Sequence, residues 1–174
     1  VCDPVSGSER AQGEIGVIEV RGRNVFKGYW QMPEKTHEEL REDGFFITGD
    51  LGQIDEDGYV SIVGRGKDLI ISGGYNIYPK EIELVINDQP GVKESAVIGV
   101  PHPDFGESPV AVVVAEGHGP DVDQIMQSCS DELARFKHPR KIIILDALPR
   151  NTMGKVQKNA LREDYNTLFT PKES

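Results

Sequence analysis

The feature that most constrains this chain is a break in its patterning at Gly64–Lys67, where glycines flank two cations, Arg65 and Lys67. Before the break the sequence is nearly all β. Glu14–Arg21, Phe45–Ile47 and Tyr59–Val63 read as strands, with Asp55-Glu56-Asp57-Gly58 as the turn before the last. A short helix is expected at Pro33–Glu42, with Pro at its start and many acids. Beyond the break the period changes. A strand at Asp68–Ser72 runs into Gly73-Gly74, which forces a tight turn. Pro79–Asp88 puts Ile82, Val85 and Ile86 on one helical face. Strands follow at Ser95–Val100 and Val110–Ala115. Asp121 can then cap a helix carrying Val122, Ile125, Met126, Cys129, Leu133 and Phe136 at helical spacing. A strand at Lys141–Leu145, a loop at Pro149–Gly154 and a terminal helix at Lys158–Phe169 complete the order. Strands and helices in this succession predict an α+β unit beyond about residue 67.

Charge sharpens the division. The chain of 174 residues has a formal charge of −10, which makes nucleic acid a poor partner. Residues 1–134 hold 10 Lys/Arg against 25 Asp/Glu, a balance of −15. Residues 135–162 hold 8 Lys/Arg (Arg135, Lys137, Arg140, Lys141, Arg150, Lys155, Lys158, Arg162) against Asp146 alone, a balance of +7. Such a basic segment can meet an anionic small molecule or an acidic partner surface, or it can be a solvated face that offsets nearby acids. No apolar run reaches the length of a membrane span. Cys2 and Cys129 form no CxxC pair, which favours a reducing, cytoplasmic compartment over a disulfide framework. The four histidines show no metal-ligand spacing, so no metal site is expected.

Three motifs could carry chemistry. Thr48-Gly49-Asp50 follows the strand Phe45–Ile47. A carboxylate at a strand end can accept two hydrogen bonds from a vicinal diol such as a ribose, and the glycine lets backbone come close. An Asp bonded to its own turn is the alternative. The second motif runs from Gly64-Arg65-Gly66-Lys67-Asp68 through Ile71-Ser72-Gly73-Gly74-Tyr75-Asn76-Ile77-Tyr78-Pro79 to Glu83. Arg65 offers a planar fork of donors for ribose or phosphate oxygens, and the glycine pair leaves room for a thin substrate arm. Neither a P-loop nor a GxGxxG string occurs. The third motif, Pro149-Arg150-Asn151-Thr152-Met153-Gly154-Lys155, sets a lysine after a glycine on a mobile loop inside the basic segment. A lysine ammonium there can offset charge that develops on a carboxylate or phosphoryl oxygen. It can equally be a solvated loop lysine.

TGD, then GRxKDxIxxGGxNIxPxEIE, then PRNxxGK, in this order and spacing, resemble the last part of the acyl-adenylate-forming enzymes. That family includes acyl-CoA synthetases, beetle-type luciferases and adenylation domains of peptide synthetases. Gly13–Trp30 also matches the approach to the TGD motif. Within the family, Phe26–Trp30, Pro33–Thr36, Phe45–Asp50, Tyr75–Tyr78 and Pro149–Lys158 look most like malonyl-CoA synthetases.

The resemblance implies a two-step reaction. A carboxylate and ATP give acyl-AMP and pyrophosphate; the acyl group then moves to the thiol of coenzyme A. It implies that residues 1–66 are the β-rich end of a large N-terminal adenylation domain and 67–174 a small C-terminal lid, a short mixed or antiparallel sheet flanked by helices. Carried over by motif, Asp50 binds the AMP ribose hydroxyls and Arg65 assists there. Lys67 is the hinge. Gly73, Gly74 and Tyr75 line the pantetheine path, Asn76 lies near the nucleotide phosphate, and Lys155 is the catalytic lysine of adenylation. ATP, coenzyme A and Mg²⁺ are the implied cofactors, with Mg²⁺ held mainly through ATP and the large domain. Malonate is the expected acid. The family's Ser/Thr/Gly-rich phosphate loop and acyl pocket are not in this sequence, so the chain by itself is expected to be inactive. A lysine acetyltransferase acting on Lys155 is an expected partner. The competing readings are a ligase for another short or medium acid, an adenylation domain serving a carrier protein, and a non-catalytic lid-like module that binds nucleotide or protein.

Overall fold

The structure is a computed structural model and describes residues 1–170. The chain divides into two compact units, Val1–Lys67 and Asp68–Ser174.

The first unit is a three-stranded antiparallel sheet with order β1-β2-β3, formed by β1 (Gly16–Val20), β2 (Phe46–Ile54) and β3 (Val60–Arg65). One helix, α1 (Pro33–Glu39), lies between β1 and β2 in the chain, with Pro33 in its first turn where a missing N–H costs nothing. The turn before β3 is closed by Asp55, whose carboxylate accepts the N–H groups of Asp57 (3.0 Å) and Tyr59 (2.8 Å). One expectation needs correction. The Thr48-Gly49-Asp50 motif does not follow a strand; it lies inside β2. Against β1, Ile47 pairs with Glu19 and Leu51 with Val17, so three residues of β2 face one of β1. Gly49 takes a left-handed φ of 72° to absorb the extra length, and the strand continues beyond this bulge.

The second unit is a mixed five-stranded sheet. β4 (Ile70–Ser72) and β5 (Tyr75–Ile77) form a hairpin. β6 (Val92–His102) and β7 (Gly106–Ala115) form the long central antiparallel pair. β8 (Lys141–Leu145) runs parallel to β7, pairing Val110 with Lys141 through Val114 with Leu145. β5 was not expected from the sequence; Tyr75–Ile77 becomes a strand through its pairing with β4 rather than through an apolar run of its own. Among the described residues three helices complete the unit: α2 (Pro79–Asn87), α3 (Val122–Glu132) and α4 (Lys158–Asp164).

The central strands read as near-continuous apolar runs because both faces are covered. Val97, Ala111 and Val113 pack with Ile82 and Ile86 of α2 and with Ile125 and Cys129 of α3. The alternate residues Ala96, Ile98, Val100, Val110 and Val112 pack with Leu148 and Leu161 of the opposite layer. Asp121 caps α3 as its sequence implies, accepting the N–H groups of Asp123 (2.9 Å) and Gln124 (3.2 Å). The helix stops at Glu132, short of Phe136. Leu133 turns extended while its side chain stays against the core, and Pro139 bars any helix from running on towards β8. Phe136 therefore sits on a separate single turn, Arg135–Lys137. The last helix also ends early, at Asp164, with turns from there to Phe169.

Candidate functional site

Each unit holds its own set of the residues singled out by motif. In the first, the bulge aims the Asp50 carboxylate. Thr48 Oγ1 donates to the Ile18 carbonyl (2.8 Å) and accepts the Asp50 N–H (3.1 Å), so the motif is tied at both ends. Asp50 and Arg65 stand opposite one another on β2 and β3. Arg65 Nε lies 2.8 Å from Asp50 Oδ1. One oxygen of Asp50 is thereby held, and Arg65 Nη1 donates to the Thr48 carbonyl (3.4 Å), so the half-exposed guanidinium is tied to the motif at two points.

Asp50, Arg65 and Lys67 line a cavity of about 930 Å³ that also takes in Glu19, Tyr29 and Arg41. Arg41 grips Glu19 with two parallel bonds of 2.8 and 2.7 Å, and this partner raises the guanidinium pKa further. The Tyr29 hydroxyl donates to the Glu39 carboxylate, which pushes the phenol up from its ordinary range. Lys35 stands over the Tyr29 ring at 4.7 Å. This wall of paired charges escaped the sequence reading because Glu19 and Arg41 lie 22 residues apart with no local spacing to link them.

Lys67 is exposed, in a single 3₁₀ turn Gly66–Asp68, and is the last residue of the first unit.

In the second unit, Gly73 (φ 56°) and Gly74 (φ 84°) are the two central residues of the β4–β5 turn, and Ser72 pairs with Tyr75 across it. Two consecutive left-handed residues match the twist of a hairpin and favour glycine over residues with a Cβ. The hairpin is tied to the neighbouring loop by Gly73 N–H to Phe105 O (2.9 Å) and to β7 by Ile71 N–H to Glu107 Oε2 (3.0 Å). Tyr75 and Asn76 are successive strand residues and so point to opposite sides of the hairpin. Tyr75 stacks on Phe136, ring centroids 4.5 Å apart and planes 19° from parallel. Tyr75, Phe136 and Gly73 line a cavity of about 330 Å³ with Arg135, Arg140 and Phe105; the Arg140 guanidinium lies over the Phe105 ring at 4.3 Å. Phe136 and these arginines were missed as site residues because Phe136 falls in register with the preceding helix.

Lys155 sits on a closed turn rather than a slack loop. Asn151 Oδ1 accepts the N–H groups of Met153 (3.0 Å) and Lys155 (2.9 Å), and Asn151 N–H donates to Lys155 O (3.0 Å). Gly154 takes φ 79°. The Lys155 side chain is exposed, and among the described residues its ammonium has no hydrogen-bond or ion-pair partner. Other cations of the basic segment are already paired: Lys137 with Glu81 (2.6 Å), Arg150 with Glu94, Lys158 with Glu83 (2.6 Å) and Arg162 with Asp68 (2.9 Å). The excess positive charge of this segment is thus concentrated on Arg135, Arg140, Lys141 and Lys155. Among the described residues no three His, Cys, Asp or Glu side chains are grouped to hold a metal ion, and no helix is long and apolar enough to cross a membrane.

Residues 81–155 match the AMP-binding enzyme C-terminal domain. The chain is 46% identical over 160 residues to the long-chain-fatty-acid–CoA ligase FadD13 of Mycobacterium tuberculosis, covering 92% of this chain and 31% of that protein. It is 47% identical over 161 residues to a feruloyl-CoA synthase of an Amycolatopsis species, covering 92% of this chain and 33% of that protein. ATP-bound MatB from Rhodopseudomonas palustris superposes with a TM-score of 0.90 at 62% identity, covering 98% of this chain and 34% of that one. The chain spans about a third of the length of the relatives it matches.

Proposed function

We propose a function from one premise: this chain carries the AMP-binding enzyme C-terminal domain of an acyl-CoA synthetase. In the full-length protein it would take part in joining a carboxylic acid to ATP and passing the acyl group to coenzyme A. The observation that carries this reading is Lys155, an exposed and unpaired ammonium on a hydrogen-bonded turn.

In the first half-reaction a carboxylate oxygen attacks the α-phosphorus of ATP, the bond to the β-phosphate bridging oxygen breaks, and pyrophosphate leaves. Lys155 would reach both the carboxylate and an α-phosphate oxygen and offset the charge that grows between them. Asp50 would accept hydrogen bonds from the ribose hydroxyls, with Arg65 holding its other oxygen. Asn76 would face the nucleotide phosphate. Magnesium would enter on the ATP phosphates, since the described residues offer no carboxylate cluster of their own. In the second half-reaction the coenzyme A thiolate attacks the acyl carbon and AMP leaves. Gly73, Gly74 and Tyr75 would border the pantetheine arm. The adjoining cavity, with two arginines and a stacked aromatic pair, suits an anionic ligand that carries a flat ring.

Residues 1–66 are read as the end of a larger adenylation domain and 67–174 as a lid that turns about Lys67 to present first Lys155 and then the glycine hairpin. Malonate is the proposed acid, supported by the 62% identity to MatB, a malonyl-CoA synthetase; the curated relatives name other acids. The reaction would take place in the cytoplasm, where free thiols such as Cys2 and Cys129 persist. Acetylation of Lys155 by a lysine acetyltransferase would remove the charge the first step needs.

Separate assays of the two half-reactions on the full-length protein test the reading. Lys155→Ala should lower ATP–pyrophosphate exchange by roughly 100-fold or more while thioester formation from preformed acyl-adenylate persists. Lys67→Pro should do the reverse. Equal loss of both half-reactions in either variant would sink the assignment. A panel of malonate, ferulate, 2-succinylbenzoate and a long-chain fatty acid identifies the acid; a rate with malonate below the others would exclude it.

A further inference from the structure

We infer that two ion pairs, Arg150–Glu94 and Lys158–Glu83, clamp the ends of the segment that bears Lys155 and act as positioning residues for it. The inference rests on the reading of Lys155 as the adenylation lysine.

The turn around Lys155 is closed by its own hydrogen bonds, and those fix its shape but not its place. Its place comes from the ends. Arg150 uses two N–H groups at once: Nη1 donates to the Gly154 carbonyl (2.6 Å), the residue next to Lys155, and Nη2 donates to the Glu94 carboxylate on β6. A guanidinium fork held at two points fixes direction as well as distance. At the other end, Lys158 opens α4 and its Nζ lies 2.6 Å from Glu83 Oε1. Glu83 is buried on α2, and the same oxygen accepts the Val97 N–H of β6 at 2.9 Å. Both acids are therefore anchored to β6, at neighbouring stations three residues apart.

Stability alone does not account for this arrangement. Well-packed apolar side chains would serve as well as the buried Lys158–Glu83 pair, and an exposed pair such as Arg150–Glu94 contributes little to folding. What the pairs supply is a fixed base for a free side chain. With residues 150 and 158 pinned and Val156 packed against the second core cluster, only the rotamers of Lys155 remain to be ordered when substrate binds.

The test uses the full-length protein with malonate and ATP, assaying pyrophosphate exchange, thioester formation from preformed malonyl-adenylate, and hydrogen exchange at the Lys155 amide. Glu94→Ala and Arg150→Ala are expected to lower kcat for pyrophosphate exchange by roughly 10- to 100-fold, with KM for ATP within about threefold. Thioester formation should be unchanged, and the Lys155 amide should exchange faster. Arg150→Lys, which keeps charge but not the fork, should recover part of the rate. Lys158→Met leaves Glu83 buried and unpaired, so it is read beside Glu83→Gln/Lys158→Met, which should show the same kcat loss with the fold retained. If Lys155→Ala abolishes exchange while the Glu94 and Arg150 variants keep wild-type kcat, the clamp is overturned and the role of Lys155 stands. Parallel loss of both half-reactions in the clamp variants also overturns it, as general damage to the domain. If Lys155→Ala keeps full exchange activity, the underlying reading fails and the clamp has nothing to position. The amide measurement needs no substrate: unchanged Lys155 protection in all variants rejects the clamp whichever acid the enzyme uses.

Discussion

The two units are both built on antiparallel strands, yet they hold themselves together in different ways. Of the 20 buried hydrophobic residues among those described, 19 belong to the second unit and only Leu51 to the first. The second unit covers both faces of its sheet with helices and turns, and it carries its candidate functional groups on connections: the Gly73-Gly74 hairpin and the Asn151–Lys155 turn. The first unit leaves Tyr59, Val60 and Ile62 exposed at 73%, 55% and 64%, and it carries Asp50 and Arg65 on the strands themselves. Its order comes from polar ties: Arg41 to Glu19, Thr48 to the backbone, Asp55 in its turn. A covered sheet can place chemistry on loops because the scaffold is already rigid.

The contrast predicts unequal responses to the same kind of deletion. Ile98 is fully buried between the sheet and the layer of Leu148 and Leu161, so Ile98→Ala should cost about 2–5 kcal/mol through lost burial and the cavity left behind. Ile62 is 64% exposed, so Ile62→Ala should change stability by about 0.5 kcal/mol or less. Urea unfolding of the two variants measures both. Comparable losses would show that the first unit has a core of its own that burial does not reveal.

Much of this division was legible in the sequence, and the exceptions share a cause. The cap at Asp121, the apolar face of α2 and the strand Lys141–Leu145 follow from patterns a few residues long, and the structure has each of them. The local pattern failed where a distant partner decided. Phe136 keeps the helical spacing of α3 but stacks on Tyr75, about 60 residues earlier. The bulge in β2 exists because β1 supplies too few residues opposite it. The ion pairs that neutralise the basic segment join residues 75 (Lys158–Glu83), 56 (Arg150–Glu94) and 94 (Arg162–Asp68) positions apart. Charge counting along the chain sees the cations but not their partners. That is why the +7 segment looked more available than it is.

A smaller effect tests whether the first unit depends on backbone geometry as the contrast requires. A Cβ at Gly49 would meet nothing closer than Arg65 Nη1 at 3.8 Å, so Gly49→Ala has space. Its cost is conformational, because an alanine at φ 72° is disfavoured by about 1–2 kcal/mol. Gly49→Ala should therefore loosen the bulge, weaken the Asp50–Arg65 pair and speed hydrogen exchange at the Asp50 amide. Exchange rates in β6 and β7 should not change. Faster exchange in both units would break the comparison.

A last comparison uses one thiol in each unit. Cys129 is buried against Ile125 and the sheet, and desolvation first, then the charge of Glu132, pushes its thiol up to about 11. The sign follows from linkage. The folded state keeps this proton at a pH where the unfolded chain, with an ordinary thiol near 9, gives it up. The resulting stability is present below about pH 9 and is lost as pH rises from there through 11. Cys129→Ala should flatten the decline in urea midpoint over that interval relative to wild type. A wild-type curve no steeper than the variant's would show that Cys129 is not held neutral by the core. Cys2 is partly exposed, so a thiol reagent at neutral pH should modify it at once. Cys129 should react only as fast as the second unit opens, and more slowly by at least an order of magnitude, because that opening must expose a residue sealed between helix and sheet. If the two thiols react together, the covered sheet opens as readily as the open one, and burial is not what separates the units.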